Sequence, residues 1–549
     1  MGSRGQPFRW SPHGAADALE AGAPEAVGGE AKTFAGAMSS LANLIPDPTT
    51  KNLWVCRPAA VVVTGSWPAH ATGPITALLV IGTRAYFMQG NVGGASAGKD
   101  VPYCYDLVAG SFVTISNSGT YPSSPSSSGA WTPPTMTLVG QYVVVCHPGF
   151  DGVTNFVGWI DLTTFTSPVW ESGNTATNAL PSIPIACGQF SGRAYYLCNP
   201  SNANPSALLS DVLAPKTRTS GNYALTFGDN VPLVATMGLP LTNQYVGGIV
   251  QSLLIFKQNN VFQITGDPSS SNLTVNALNV AIGTSSPLSI CQTPYGIAFI
   301  APDGLRFIDF SARLSGPVGQ DGNGITNPFK QSVTPSRVCA ACNATTIRIT
   351  VENGAAAGTP WQEWWYDVER EIWSGPHTLP NAVIQQYGIQ FVSAPQSAPV
   401  FLYVSQSFPT STSSYTELGT VLSWNYTTLF LPPQGDGLGE RCIVRSQIWA
   451  GFDASSSTYS CLALDPNGVS LATCSVSGAV TGGGIWGTSV WGSFLWGGAG
   501  QPLRPRRMNW NTPIIFDRLQ IQVVGQSAQN VRIGDFAAYM EELGYSPFQ

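Results

Sequence analysis

A chain of 549 residues that is 43% hydrophobic, 11% aromatic and only 10% Asp, Glu, Lys or Arg is not a coiled coil, which needs charged flanking positions, nor a chain held open by its charge. Its net charge of −6 gives no basic footprint for gripping nucleic acid at whole-chain level. With 59 Gly and 42 Pro it reads as many short strands joined by many turns, an all-β protein.

Residues 1–58 read as an extended N-terminal arm. Segments 17–23 and 33–44 have the composition of short helices, and Leu44-Ile-Pro46-Asp-Pro48 ends regular structure because each proline removes a backbone donor and restricts the residue before it. No apolar stretch of a signal peptide follows Met1. No apolar run reaches the ~18 residues of a spanning helix, so no membrane span is expected.

Over residues 59–431 one pattern recurs. An apolar strand reaches a polar or Gly-containing turn and a second strand returns: 75–81 with 85–88, 136–138 with 142–146, 183–187 with 194–198, 253–256 with 261–264, 297–300 with 305–308, 347–351 with 363–367, and 391–392 with 400–404. The turns hold Gly-Thr-Arg, Ser-Gly-Arg and Pro-Asp-Gly, the chemistry hairpins require. The hairpins recur at about 45–70 residues, and the short end of that range matches a propeller blade. The expected architecture is a β-propeller of six or seven blades, with a large sandwich as the competing arrangement. Tyr105-Asp106, Trp159-Ile-Asp161, Phe307-Ile-Asp309 and Trp365-Tyr-Asp367 end several hairpins. Their aromatics suit packing between blades, and their carboxylates suit anchoring tight turns rather than catalysis.

Residues 432–549 change character. Five strands, at 441–450, 459–464, 469–476, 514–524 and 530–539, predict a β-sandwich-like domain. Within it, Trp486, Trp491 and Trp496 recur every five residues, each followed by Gly, which fits neither helix nor strand. Such a loop either folds back on its own domain or forms a contact surface. Arg504, Arg506 and Arg507 make the densest basic cluster, read as a solvated turn or an inter-subunit ion pair. With Trp54 and Arg57, these six residues are the candidate interface residues.

Catalytic and metal patterns are missing or misplaced. Cys339-Ala-Ala-Cys342 lacks a second pair at zinc-ligand spacing, and His13, His70, His147 and His377 are isolated. Gly93 to Lys99 begins like a phosphate loop, but Asp100 stands where a magnesium-holding hydroxyl belongs. Gly94 to Gly98 has the letters of a nucleophile elbow and Gly482, Gly484 and Gly487 those of a dinucleotide fingerprint, neither with a following helix. No catalytic residue and no cofactor is expected. The enzymatic alternative is a carbohydrate-binding or glycan-hydrolysing propeller used in host attachment, for which Glu352, Glu363, Asp367, Glu369 and Glu371 supply the carboxylates.

Three stretches carry a resemblance. Ser40-Leu-Ala-Asn-Leu-Ile-Pro-Asp-Pro followed by Leu53-Trp-Val-Cys-Arg57-Pro58 resembles the N-terminal motif of tailed-phage virion proteins, with Ala59 where that pattern carries Gly. Thr293-Pro-Tyr-Gly296 leading to Asp303-Gly304, and Trp364-Trp-Tyr-Asp-Val-Glu-Arg-Glu-Ile-Trp373, are similar to blades of the tail nozzle (tail tube B, tail accessory) proteins of short-tailed bacteriophages. The resemblance implies a structural protein of the virion tail, made in the host cytoplasm and assembled as a ring of six. Such a ring docks to a tail adaptor below the portal, bears fibres or a needle, and retains and then conducts double-stranded genomic DNA without reading its sequence.

Overall fold

The computed structural model describes residues 6–10, 14–15, 37–47, 53–125, 132–221, 223–240, 250–270, 272–278, 281–318, 332, 334–352, 361–379, 381–395, 402–405, 416–417, 420–428, 440–452, 458–477, 501–527 and 531–544. Among them there is no α-helix, only three single 3-10 turns, and thus no helix long and apolar enough to cross a membrane.

The protein is all-β. Six small sheets stand in a ring as the blades of a propeller. Blade 1 is Ala71–Ile81, Arg84–Asn91, Lys99–Asp106 and Ser111–Val113. Blade 2 is Thr135–Val139, Tyr142–Cys146, Val157–Asp161 and Val169–Gly173, edged by Ser116–Asn117. Blade 3 runs from Pro184–Phe190 to Ala224–Thr226, and blade 4 from Leu233–Pro240 to Thr274–Ala277. Blade 5 is Ile290–Thr293, Gly296–Ala301 and Gly304–Ile308. Between blades 5 and 6 the ring is completed by a bridging sector: Cys339–Cys342, Thr346–Glu352, Trp361–Asp367 and Ile372–His377, the first four strands of an 11-stranded sheet. Blade 6 is Asn381–Tyr387, Gln390–Pro395, Tyr403–Ser405 and, from the start of the chain, Ala60–Val62, paired Tyr403 to Val62 and Ser405 to Ala60. Backbone hydrogen bonds between the first and last parts of the propeller thereby close the ring.

The blades stack because their strands are apolar on both faces. Side chains alternate along a strand, so Val143 and Val145 turn towards Tyr86 and Met88 of blade 1, while Val144 and Cys146 turn towards Cys187 and Tyr196 of blade 3. The rule repeats around the circle: Tyr195 and Leu197 meet Leu253 and Ile255, and Leu254 and Phe256 meet Ile297 and Phe299. Ile300 and Leu305 meet Ile349 and Tyr366 of the bridging sector, Ala341 meets Ile384 and Phe391, and Val383 and Val392 meet Ile75 and Phe87. Trp170, fully buried, lies on Gly158, where a Cβ would come within 2.1 Å of the indole. The aspartates anchor turns as their spacing suggests. Asp106 accepts from the N–H groups of Val108 and Ala109, Asp161 from Thr163, Asp309 from Ser311 and Arg313, and Asp367 from Glu369 and Arg370.

A sandwich follows. One sheet runs Gln501–Met508, Glu440–Phe452, Val531–Gly544, Trp54–Cys56 and Leu44–Pro46. The other continues the bridging sector through Ala37–Ala42, Thr420–Thr428, Gln520–Ser527, Thr458–Leu464 and Ser470–Ser477. Trp424, Tyr459, Cys461 and Val523 of one face meet Trp54, Ile448, Ile533 and Phe536 of the other. Two expectations change here. Residues 37–42 and 44–46 are strands rather than part of a helix over 33–44, because pairing with distant strands overrides the local preference of an Ala-rich segment; residues 17–23 lie outside the described residues. The expected boundaries at 58 and 431 also cut through the sandwich. Its sheets take Ala37–Ala42, Leu44–Pro46 and Trp54–Cys56 from the supposed arm and Thr420–Thr428 from the propeller side. Asn43, at φ 60°, turns the chain from one sheet into the other, a left-handed conformation that Asn tolerates better than most residues.

Candidate functional site: an uncharged axis and a buried polar junction

Seven strands line the axis, one from each blade and one from the bridging sector. None of them carries an Asp, Glu, Lys, Arg or His. They surround a cavity of about 290 Å³ lined by Thr135, Met136, Gln189, Met237, Gln292 and Gln385 among others. The Gln292 amide donates to the carbonyl of Gly238 at 3.0 Å. This volume is worth about ten waters at ~30 Å³ each. It cannot admit a duplex whose major groove alone is ~12 Å wide. Nor do its walls hold the carboxylate pair that glycoside hydrolysis requires.

One cluster of buried charge sits where propeller and sandwich join. Arg57 is fully buried and grips both oxygens of Glu417, at 2.8 and 2.7 Å. Its Nε donates to the Asn43 side-chain oxygen at 2.8 Å, and its backbone N–H to the Asn43 carbonyl at 3.0 Å. Asn43 Nδ2 in turn donates to Thr378 Oγ1 and the Ser423 carbonyl, both at 2.7 Å, and Glu417 accepts the N–H of Ala60 at 3.0 Å. One node therefore ties together the N-terminal segment, the bridging sector, blade 6 and the sandwich. His377 completes it. Its Nδ1 accepts the Asn43 N–H at 3.0 Å, and burial, with Arg57 and Arg348 adding to it, holds the imidazole neutral by pushing its pKa well below the usual range.

A second buried ion pair lies beside it. Arg348 donates to Glu363 through Nε at 2.9 Å and Nη2 at 2.8 Å, and the same carboxylate accepts Trp365 Nε1 at 2.8 Å and Asn381 Nδ2 at 2.6 Å. Glu363 is thus enclosed and fully hydrogen-bonded. Of its companions, Glu352 meets Arg337 at 3.2 Å and Asp367 anchors its turn and meets Arg370 at 3.3 Å. Glu369 and Glu371 are exposed and border a cleft of about 450 Å³ with Tyr295, Phe307 and Tyr366.

Sequence reasoning missed one constellation. Asp100 and His147, read as a misplaced motif residue and an isolated histidine, meet at 2.9 Å with Thr76 donating to the same Asp100 oxygen at 2.7 Å. Gly149 N–H donates to His147 Nδ1 at 2.9 Å, so Nε2 carries the proton that meets Asp100. All three side chains are buried, and the group joins blade 1 to blade 2. Its signal in the sequence was a charged and a titratable residue each beside an apolar strand.

The candidate interface residues divide. Trp486, Trp491 and Trp496 lie outside the described residues. Arg504, Arg506 and Arg507 are on a strand, opposite Ala450, Ile448 and Gln447, rather than in a solvated turn. Arg507 is exposed and Arg506 half-buried. Trp54, 2% exposed in the sandwich core, and Arg57 serve contacts within the chain. Cys339 and Cys342 are both buried three positions apart on one strand, so they face opposite sides. Burial pushes the Cys339 thiol up to about 12, and among the described residues no group of His, Cys, Asp and Glu is fit to hold a metal.

No protein-family model matches the chain, and no curated protein matches it in sequence. Among solved structures, the Dos1 propeller is similar at TM-score 0.36 and 12% identity, covering 67% of this chain and 88% of that one. A protein from Lactobacillus plantarum is similar at TM-score 0.35 and 10% identity, over 66% of this chain and 98% of its own. An exo-beta-1,3-galactanase from Phanerochaete chrysosporium reaches TM-score 0.23 at 8% identity over 88% of this chain and 99% of its own. Likenesses this slight carry no argument about activity.

Proposed function

We propose that the protein is a structural subunit of a short-tailed phage virion, forming the tail nozzle: a ring of six copies that docks to the tail adaptor, carries fibres or a needle, and retains and then conducts double-stranded DNA. The observation that carries this reading is the use made of the residues behind the resemblance. The two halves of the N-terminal motif, Asn43 and Arg57-Pro58, close on each other through side chain and backbone at the node that joins propeller to sandwich. In the Thr293-to-Gly304 stretch, Thr293 Oγ1 caps its own turn by donating to the Gly296 carbonyl at 3.1 Å. Gly296, at φ 128°, sits so near the Ile308 carbonyl that a Cβ would come within 2.1 Å of it. Residues with such mechanical duties suit a part whose work is to stay rigid under load.

Two further features favour the reading. A subunit with a narrow uncharged axis does not conduct DNA through itself, so the duplex would pass through the lumen of the ring. A net charge of −6 keeps that lumen from binding phosphates. The carboxylate on which the glycan-hydrolysing alternative most depends, Glu363, is enclosed by four donors. Electron microscopy of the purified chain, alone and with its adaptor, tests the proposal. Six-fold rings are the expected result. A monomer under both conditions, or absence of the chain from purified particles by mass spectrometry, overturns it.

A further inference from the structure

All eleven cysteines are unbridged, and ten of them are buried. Several share an apolar cluster with another cysteine, and Cys461 and Cys474 stand directly opposite each other on the antiparallel strands Thr458–Leu464 and Ser470–Ser477. Directly opposed residues have Cα atoms ~4.5–5.5 Å apart, inside the ~4.4–6.8 Å range that a disulfide spans. The two thiols hydrogen-bond to each other. Their neighbours on the same strand faces are Tyr459, Ala463, Ala472 and Val476, buried with them in the sandwich core. Among the described residues no metal-binding group includes them.

Access distinguishes this pair from the others. Cys146 and Cys187 also interact, but across the sealed contact between blades 2 and 3. Ser470–Ser477 is instead the last strand on the path of its sheet, and in place of a further strand its outer edge meets only a short loop, with Thr473 N–H donating to Asn511 Oδ1 at 2.8 Å, Asn511 N–H to the Thr473 carbonyl at 3.0 Å and Thr512 Oγ1 to the Leu471 carbonyl at 3.2 Å among the described residues. An edge strand opens locally at far less cost than a central one, without unfolding the domain. Its loop tip, Pro466, Asn467 and Gly468, is exposed.

We propose that Cys461 and Cys474 are a redox modification site, forming an intramolecular disulfide across the edge of the sandwich when the chain meets a low-molecular-weight disulfide such as oxidised glutathione. The Cys474 thiolate attacks one sulfur of the reagent, breaking its S–S bond and releasing one glutathione thiolate. Cys461 loses its proton to solvent and attacks the resulting mixed disulfide, releasing the second. Two protein thiols are oxidised, one reagent disulfide is reduced, and the two protons leave with the two glutathiones. The order of attack follows from position: Cys474 lies on the edge strand and is 9% exposed, whereas Cys461 is fully buried on the inner strand.

The bridge pins the strand from which the chain runs on towards the tryptophan repeat at 486–496. A protein synthesised with all its thiols reduced thus gains a staple on leaving a reducing compartment, whatever its assembly state.

The full chain is incubated with oxidised glutathione at pH 8, and its remaining thiols are alkylated in denaturant and mapped by mass spectrometry. The expected product is a linked peptide containing Cys461 and Cys474, with the intact chain lighter by two hydrogens. Cys461→Ser is expected to stop at one glutathione on Cys474. Cys442, the one half-buried cysteine, reports that the reagent has acted. Modification of Cys442 with no Cys461–Cys474 link in the wild-type chain overturns the proposal. So does linkage of either residue to Cys442 in preference to its partner. The wild-type measurement needs no variant to fold.

Discussion

Replacing Arg57 by Ala is the sharpest test of the junction. The guanidinium is fully buried, makes two short bonds to Glu417 and a third to Asn43, and its removal strands a carboxylate whose side chain is only 12% exposed. Deleting one partner of a buried ion pair typically costs ~3–5 kcal/mol, because the survivor keeps its desolvation penalty without its counter-charge. The slight exposure of Glu417 lets some water return, so the lower part of that range, about 3–4 kcal/mol, is expected. For a unit of about 150–250 residues, at ~2–4 °C per kcal/mol, the sandwich transition falls by roughly 6–16 °C in calorimetry. The double variant Arg57→Met with Glu417→Met, which replaces both charges by apolar groups of similar bulk, is expected to lose much less than the sum of the two single changes. A loss below about 1 kcal/mol in Arg57→Ala, or strict additivity in the double variant, refutes the claim that this pair holds propeller and sandwich together.

His377 gives a pH signature. Its pKa in the folded protein lies well below the unfolded value of 6.5, so as pH falls through 6.5 the unfolded chain takes up a proton that the folded one refuses. Stability is therefore present above pH 6.5 and lost below it, at about 1.4 kcal/mol per pH unit for this one group; urea midpoints between pH 5 and 7.5 should slope less in His377→Gln, and equal slopes contradict the assignment. Trp365→Ala removes an indole that packs with Ile45, Val55 and Tyr403 and donates to Glu363. It should cost about 3–5 kcal/mol in chemical denaturation, and an unchanged midpoint would remove Trp365 from the core. Gly296→Ala places a methyl group 2.1 Å from the Ile308 carbonyl at φ 128°, so a drop of at least ~1–3 kcal/mol in propeller stability is expected from backbone strain alone. A neutral result by the same measurement would show that the turn relaxes freely.

What the sequence discloses here is what is local. Each hairpin declares itself within about twenty residues, by alternating apolar residues on either side of a turn-forming cluster, and the aspartate turns bond to N–H groups two to four positions on. What it conceals is pairing at a distance. Asn43 bonds to Ser423 across 380 positions, and the Ala-Met-Ser-Ser-Leu-Ala run before it has too little alternation to mark it as a strand against its helical composition. The Arg348–Glu363 pair is an intermediate case. Thr350 lies opposite Glu363 and Arg348 opposite Trp365, which makes the ion pair a diagonal neighbour on one face. Anyone holding the register of that single hairpin would have taken Glu363 off the roster of available carboxylates.

The placement of charge follows from the same geometry. At the axis seven strands converge, and the cavity of about 290 Å³ between them takes its polarity from uncharged groups such as Thr135, Gln189, Gln292 and Gln385, so no charge has to be desolvated there. At the junction, two sheets exchange strands and leave backbone donors and acceptors that no regular ladder satisfies. Asn43, Arg57, Glu417 and His377 supply partners for them, accepting the N–H groups of Ala60, Thr378 and Asn43 and donating to the carbonyls of Pro58 and Ser423. Charge is tolerated there because Arg57 and Glu417, besides pairing with each other, do the work of missing backbone partners. Substitutions at the junction should therefore loosen the attachment of propeller to sandwich before they unfold either one, and limited proteolysis of Arg57→Ala near residues 58 and 416 should release the two parts intact.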